Sequence, residues 1–267
     1  MEKLSFYLSL LRFSLFHPKR GLDLINEVNQ VHDDAKQEVK KFEFEPVKFS
    51  DALNLIFGKK EEIKDDFSKI SDLEEHLKHF FENISAEYPS AEKPYPVDYS
   101  IMGESGPFLY ELCKFMKPEL IVETGVAYGV SSSYILKALD ENNKGKLISI
   151  DSIFRPWQSE KMIGSVIPNS IKSRWQLCVG SSNEQLTMIY QKYSEIDLFL
   201  HDSLHTYQNM MFEFKKSWPN IKTGGFLLSD DILGNNAFYD FYKMINKTPS
   251  LLFQKVEPIS LMGIIVK

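Results

Sequence analysis

The chain has 267 residues with 31 Lys+Arg against 37 Asp+Glu, a formal charge of -6, and is 43% hydrophobic. A chain of that length buries roughly 70–75% of its unfolded surface, so its core needs no disulfide or metal staple. The apolar content excludes a disordered tail protein, and the acidic balance disfavours sequence-independent grip on nucleic-acid phosphate.

Two cysteines, Cys113 and Cys178, are too few for a disulfide scaffold or a Cys-rich zinc site, and both read as buried thiols. The stretch 4–16 carries Ser5, Ser9, Arg12 and Ser14 and falls short of the roughly 20 apolar residues a membrane span needs. It also lacks the basic start and small-residue cleavage site of a signal peptide. The expectation is a cytoplasmic protein without a membrane span.

The first 95 residues read as helix. Periodic stretches over 3–16 and 20–41 are separated by Pro18, and Ser71 with Glu74 has capping-box spacing for a helix to about residue 81. The run 59–66 (KKEEIKDD) mixes charge signs at helical spacing, as a solvated helix face does. A loop over 88–99 holds Pro89, Pro94 and Pro96. These features divide the chain into a helical N-terminal extension, 1–95, and a second unit, 96–267. Phe6, Tyr7, Phe13 and Phe16 of the first helix must bury one side: against the second unit, in a homodimer, or at a membrane surface.

Beyond residue 96, apolar runs alternate with helical patterns. Helix 107–116 leads to strand 120–124, and helix 128–139 to strand 146–151. Strand 175–179, helix 184–193 and strand 196–202 follow, then helix 207–218 and strand 225–230. Helix 237–245 precedes two final strands, 251–256 and 260–266. This alternation predicts an α/β fold with a doubly wound, mostly parallel seven-stranded sheet. Only Glu257, Pro258 and Ile259 join the last two strands, too few for a crossover, so they form a C-terminal antiparallel hairpin.

Ligands of such sheets sit beyond the carboxyl ends of the strands, near the reversal of strand order. The first strand runs into Glu123-Thr-Gly125-Val-Ala-Tyr-Gly129-Val-Ser131, where glycines let the backbone turn and approach a ligand. Dinucleotide enzymes share such a turn. The second strand ends in Asp151, read either as the acceptor of ribose hydroxyls or as the cap of the next helix. Together IVETGVAYGVSSSYIL and LISID resemble motifs I and II of the class I S-adenosylmethionine (SAM)-dependent methyltransferases. That family has a Rossmann-like fold ending in the same hairpin, and the resemblance spans roughly residues 100–267. It implies SAM as cofactor, with Glu123, Gly125 and Gly129 shaping the site for its methionine and sugar. It further implies Asp151 at the ribose and Gly180, Ser181 and Ser182 near the adenine. Ala127 departs from the pattern, standing where many members carry a third glycine.

Strand four ends in His201-Asp202-Ser-Leu-His205 and strand five in Ser229-Asp230-Asp231. If these strands are neighbours, Asp202, Asp230 and Asp231 converge and raise one another's pKa values, a strain that a dication relieves. Oxygen ligands favour Mg²⁺, Mn²⁺ or Ca²⁺ over zinc. The competing reading of the Asp-Asp pair is a helix cap. An acid ending strand four, a basic residue three positions on, and Asp-Asp ending strand five resembles the cation-dependent O-methyltransferases, of the catechol and the sugar- and natural-product-modifying types. That resemblance implies Asp202, Asp230 and Asp231 as metal ligands. It implies His205 as general base, where the catechol enzymes carry lysine, while His201 reads as packing.

The expected reaction is methyl transfer from SAM to a hydroxyl of a small-molecule or glycosylated acceptor. A phenol of pKa about 10 is ionised only about one part in a thousand at pH 7, and sugar hydroxyls far less. A dication and a nearby histidine answer that need. Arg155 and Trp157 are candidates for the cofactor or acceptor pocket, Tyr207 for orienting His205 or the acceptor, and residues 105–108 for the inner wall. Competing readings are a cation-independent methyltransferase and a non-catalytic cofactor-binding scaffold whose helices recruit a partner.

Overall fold

A computed structural model describes residues 2–58, 67–82, 104–153, 158–255 and 259–267. The charge run 59–66, the proline loop 88–99 with the 95/96 boundary, Arg155, Trp157, Glu257 and Pro258 lie outside the described residues.

The strands follow the apolar runs. They are β1 (Leu120–Thr124), β2 (Lys146–Asp151), β3 (Trp175–Val179), β4 (Ile196–His201), β5 (Ile221–Ser229), β6 (Ser250–Lys255) and β7 (Ser260–Val266). Their order is β3-β2-β1-β4-β5-β7-β6. Every residue of β1 and β4 is buried, as strands covered on both faces must be. β1 through β5 pair in parallel, while β7 runs antiparallel to both β5 and β6. The order reverses between β1 and β4. Thr124 pairs with His201, and His201 with Ser229, so three strands end level at that crevice. β5 begins four residues before its apolar run because Ile221 pairs with Ile196 across a register shift, leaving 222–224 exposed.

Helices cover both faces. On one side lie α3 (Phe49–Phe57), α4 (Ser71–Glu82), α5 (Ser105–Met116) and α6 (Val130–Glu141). On the other lie α7 (Ser182–Lys192), α8 (Tyr207–Ser217) and α9 (Ala237–Met244). Leu53, Leu73, Leu109 and Leu136 share the first core; Leu186, Phe214 and Phe241 share the second. Each such burial contributes about 1.5–3 kcal/mol. The N-terminal residues thus build part of the same core as the sheet.

Several local expectations are corrected. The helix expected over 20–41 is α2 (Pro18–Asp34), which follows α1 (Glu2–Phe16). Beyond Asp34 the chain leaves the helix and crosses α9 as a strap. Phe42 and Phe44 are drawn onto Tyr239 and Tyr242 (ring centroids 5.8 and 6.0 Å), and Val47 N–H donates to the Leu251 carbonyl (2.8 Å) at the edge strand β6. The α3 helix has no counterpart in the sequence reading. The capping box does not form: the Ser71 hydroxyl donates to the Ser68 carbonyl (2.9 Å), because a 3-10 turn over Phe67–Ile70 already leads into α4. Glu74 instead accepts from the Tyr134 hydroxyl (3.1 Å). Cys113 is buried, but Cys178, on the edge strand β3, is only partly covered. On α1 and α2 a row of apolar side chains faces outward, including Leu11, Leu15, Phe16, Leu22, Ile25 and Val28.

Candidate active site

The glycine turn after β1 is built from backbone constraints. Gly125 has φ 83° and Gly129 φ 97°, the left-handed region that glycine enters without strain. A Cβ on Gly125 would collide with the backbone carbonyl of Asp202, so the turn and the end of β4 are in direct contact. Ala127, the departure from the resembled pattern, also takes a left-handed backbone, φ 48°.

Glu123 is fully buried and accepts from the hydroxyls of Ser131 (2.5 Å), Ser132 (2.6 Å) and Ser149 (2.7 Å). Burial pushes its pKa up against those hydrogen bonds. It locks the first turn of α6 to β1 and β2. Asp151 accepts the N–H of Val126 (3.0 Å) and Ala127 (2.9 Å) on one oxygen and that of Ser152 (2.6 Å) on the other. Burial raises its pKa too. Its carboxylate therefore clasps the glycine turn, and the described residues that follow it, 152 and 153, are not helical. Gly180 N–H donates to the Asp151 carbonyl (2.8 Å), setting the start of α7 beside β2. Ser181 caps α7 by accepting from Glu184 N–H (3.4 Å), while Ser182 turns its hydroxyl to the buried Glu213.

At the ends of β4 and β5, Asp230 N–H donates to the His201 carbonyl (2.9 Å), which sets Asp202 and Asp230 side by side. One ligand atom from each of Asp202, His205 and Asp230 lies within 4.8 Å of the others. Asp231 stands outside that set. Its backbone turns left-handed (φ 43°), and its carboxylate lies 3.9 Å from His205 Nδ1, while His205 Nε2 is 3.8 Å from Asp202. Burial, then the charge of Asp230, hold the Asp202 carboxyl well above the usual carboxylate range, and the two carboxyls share a hydrogen bond. Burial, then the neighbouring His201, push His205 below its ordinary value, so its ring is neutral at pH 7. The ring is 27% exposed, yet Nε2 is sealed from solvent and makes no hydrogen bond. Two carboxyls and a free imidazole nitrogen suit a divalent cation.

His201 is more than packing. Its Nδ1 meets Glu213 (2.7 Å), which also accepts from Thr124 (2.5 Å), Ser203 (2.9 Å) and Asn209 (3.2 Å). Burial pushes the Glu213 carboxyl up, but the charge and hydrogen bond of His201, with the Thr124 hydroxyl, hold it below the usual range. This network underlies the loop that carries His205. Glu213 escaped the sequence reading because a glutamate in mid-helix usually faces water. The available signal was its spacing from Met210 and Ser217, both buried on the same face. Tyr207 does not orient His205: its hydroxyl donates to Asp240 (3.2 Å). Residues 105–108 are buried at the start of α5, where Gly106 packs on the Tyr134 ring.

Residues 122–232, from β1 to just past Asp231, match the family described as a methyltransferase domain. No curated protein matches the chain. Among solved structures, the O-methyltransferase from Bacillus cereus in complex with SAH aligns with a TM-score of 0.53 at 19% identity, covering 82% of this chain and 96% of that one. The O-methyltransferase TomG from Streptomyces achromogenes, in complex with SAM, aligns at 0.54 with 13% identity, covering 80% and 95%. The SAH-bound methyltransferase PaMTH1 from Podospora anserina aligns at 0.50 with 15% identity, covering 74% and 96%. The chain therefore shares the fold of these solved methyltransferases, and its helical N-terminal residues pack onto the sheet. No helix among the described residues is long and apolar enough to cross a membrane.

Proposed function

We propose that the chain transfers a methyl group from SAM to a hydroxyl oxygen of a small-molecule acceptor, with a divalent cation at the Asp202–Asp230 rim. The observation that carries this reading is the convergence of Asp202, His205 and Asp230 beside the Gly125 turn, at the reversal of strand order. When bound, SAM supplies an activated methyl, and a dication supplies positive charge that lowers the pKa of a nearby hydroxyl.

The chain's own residues do the rest. Gly125 and Gly129 give the turn the left-handed backbone and close approach it needs at either end, where the methionine and sugar of the cofactor would lie. Asp151, Gly180 and Ser181 mark the ribose and adenine side, at the ends of β2 and β3. Ser182, bound to Glu213, supports α7 from beneath. Asp202 and Asp230 would hold the cation, Mg²⁺, Mn²⁺ or Ca²⁺ by their oxygen chemistry. Neutral His205 serves as the base for the acceptor's proton, and Asp231 beside Nδ1 favours the imidazolium that results. In this arrangement Asp231 serves the base rather than the metal.

A second reading rests on the 4.8 Å spacing itself, which makes His205 a ligand and shifts preference toward metals that accept imidazole. The absorption spectrum of the Co²⁺ form, compared with His205→Gln, separates the two. The acceptor is proposed to be a sugar or natural-product hydroxyl, on the resemblance of the segment after Asp151 to that branch. Labelled SAM offered with catechols and with glycosylated acceptors, in Mg²⁺ or EDTA, tests the whole reading. Transfer that is lost in EDTA supports it; transfer untouched by EDTA and by Asp202→Asn moves the protein to a cation-independent mechanism. The outward apolar row on α1 and α2 supports contact with a second copy, which light scattering of the purified protein tests.

A further inference from the structure

We propose that the N-terminal arm is a clamp on the acidic rim, with Gln30, Asp34 and the strap 38–40 as positioning elements for the loops that carry His205 and Asp230. Four contacts close a ring around those loops from residues far away in sequence. The Thr206 hydroxyl donates to Gln30 Oε1 (2.6 Å), and the Tyr207 N–H donates to Asp34 Oδ2 (2.8 Å). Asp34 thus caps α8 from outside, immediately after His205. On the other side, Lys40 N–H donates to Asn236 Oδ1 (2.7 Å), and Asn236 Nδ2 donates to the Glu38 carbonyl (3.0 Å).

The ring also closes within the site. Asn235 Nδ2 donates to the His205 carbonyl (3.2 Å), so the loop after Asp231 holds the loop after Asp202. Lys40 pairs with Asp240, which accepts from the Tyr207 hydroxyl. The arm therefore grips both loops, while the glycine turn that serves the cofactor has no part in the ring. This separation gives the clamp a signature: loosening it moves the acidic rim and leaves the cofactor side in place.

The clamp rests on the proposed function only for its effect on turnover. Hydrogen exchange followed by mass spectrometry on the full chain reads the clamp directly. Gln30→Ala with Asp34→Ala is expected to speed exchange over 203–207 about 5- to 10-fold, as loss of hydrogen bonds worth about 1 kcal/mol does. Exchange over 125–130 and binding of S-adenosylhomocysteine stay at wild-type values. Asp34→Asn, which keeps an acceptor for the Tyr207 N–H, restores protection. If wild-type turnover is found, the double variant loses about 10- to 100-fold in kcat, the range for a misplaced catalytic group, with KM for SAM unchanged. Unchanged exchange over 203–207, or equal acceleration throughout the chain, overturns the clamp. An inactive wild type with the same local exchange response leaves the clamp standing and removes the catalytic reading.

Discussion

Ala127 shows how one side chain departs from a pattern at measurable cost. A left-handed backbone costs an L-residue roughly 1–2 kcal/mol, and Ala127 sits there at φ 48°. Ala127→Gly removes that strain but adds about 0.4–1 kcal/mol of unfolded-state entropy. The net gain of about 0.5–1 kcal/mol should raise Tm by a few degrees in calorimetry. Gly125→Ala should do the reverse and abolish cofactor binding, because its Cβ collides with the Asp202 carbonyl. Asp202 makes a pH-dependent case. Its folded pKa lies above the unfolded value, so as pH rises past the ordinary carboxylate range the unfolded chain loses its proton first. The penalty on the native state then grows until pH passes the folded pKa and remains in full above it. Asp202→Asn should therefore raise Tm at pH 7, change it little at pH 3, and remove divalent-cation binding in calorimetric titration. Glu213 has the opposite sign: its depressed pKa stabilises the fold above the usual glutamate range and is lost as pH falls through the folded value. The acids at strand ends were legible because a run of apolar residues announces where a strand stops. The place of Asp231 was not, since it depends on one backbone dihedral that residue type leaves open.

Among the elements, the strands were the most readable. Their apolar runs are bounded by turn residues, and burial on both faces demands such runs. Helix ends were harder, because tertiary contacts decide them. α2 stops at Asp34, where the side chain is recruited by α8, although the periodic pattern continues. α3 was hidden because its Phe49, Ala52 and Leu53 mean little until α5 and β6 lie beside them. Contact between elements also makes one glycine indispensable. Gly263 of β7 lies directly under the Phe238 ring of α9, with no room for a Cβ. Gly263→Val should push α9 off the sheet at a cost of about 1–3 kcal/mol or more, the range for overpacking a core. Chemical denaturation, with an unchanged m-value, measures it.

At the scale of the whole molecule, the helical arm and the sheet are interdependent. Phe49, Leu53, Ile70, Leu73 and Leu77 lie in the same core as α5 and α6. With about 1.5–3 kcal/mol for each full burial against a total stability of about 5–15 kcal/mol, their loss exceeds what a domain can bear. A chain beginning at residue 104 should lack a cooperative thermal transition by circular dichroism. Composition and patterning therefore revealed two kinds of segment, but packing joins them into one body. The position of β7 has a consequence for how that body comes into being. Although β6 precedes it, β7 is the strand lying against β5, with β6 outermost. On a ribosome, β6 emerges before β7, the strand whose ladder joins it to the sheet. Until β7 has followed, β5 offers a bare edge and β6 lacks the neighbour that ties it to the sheet, so the nascent chain is open to misassembly between those two strands.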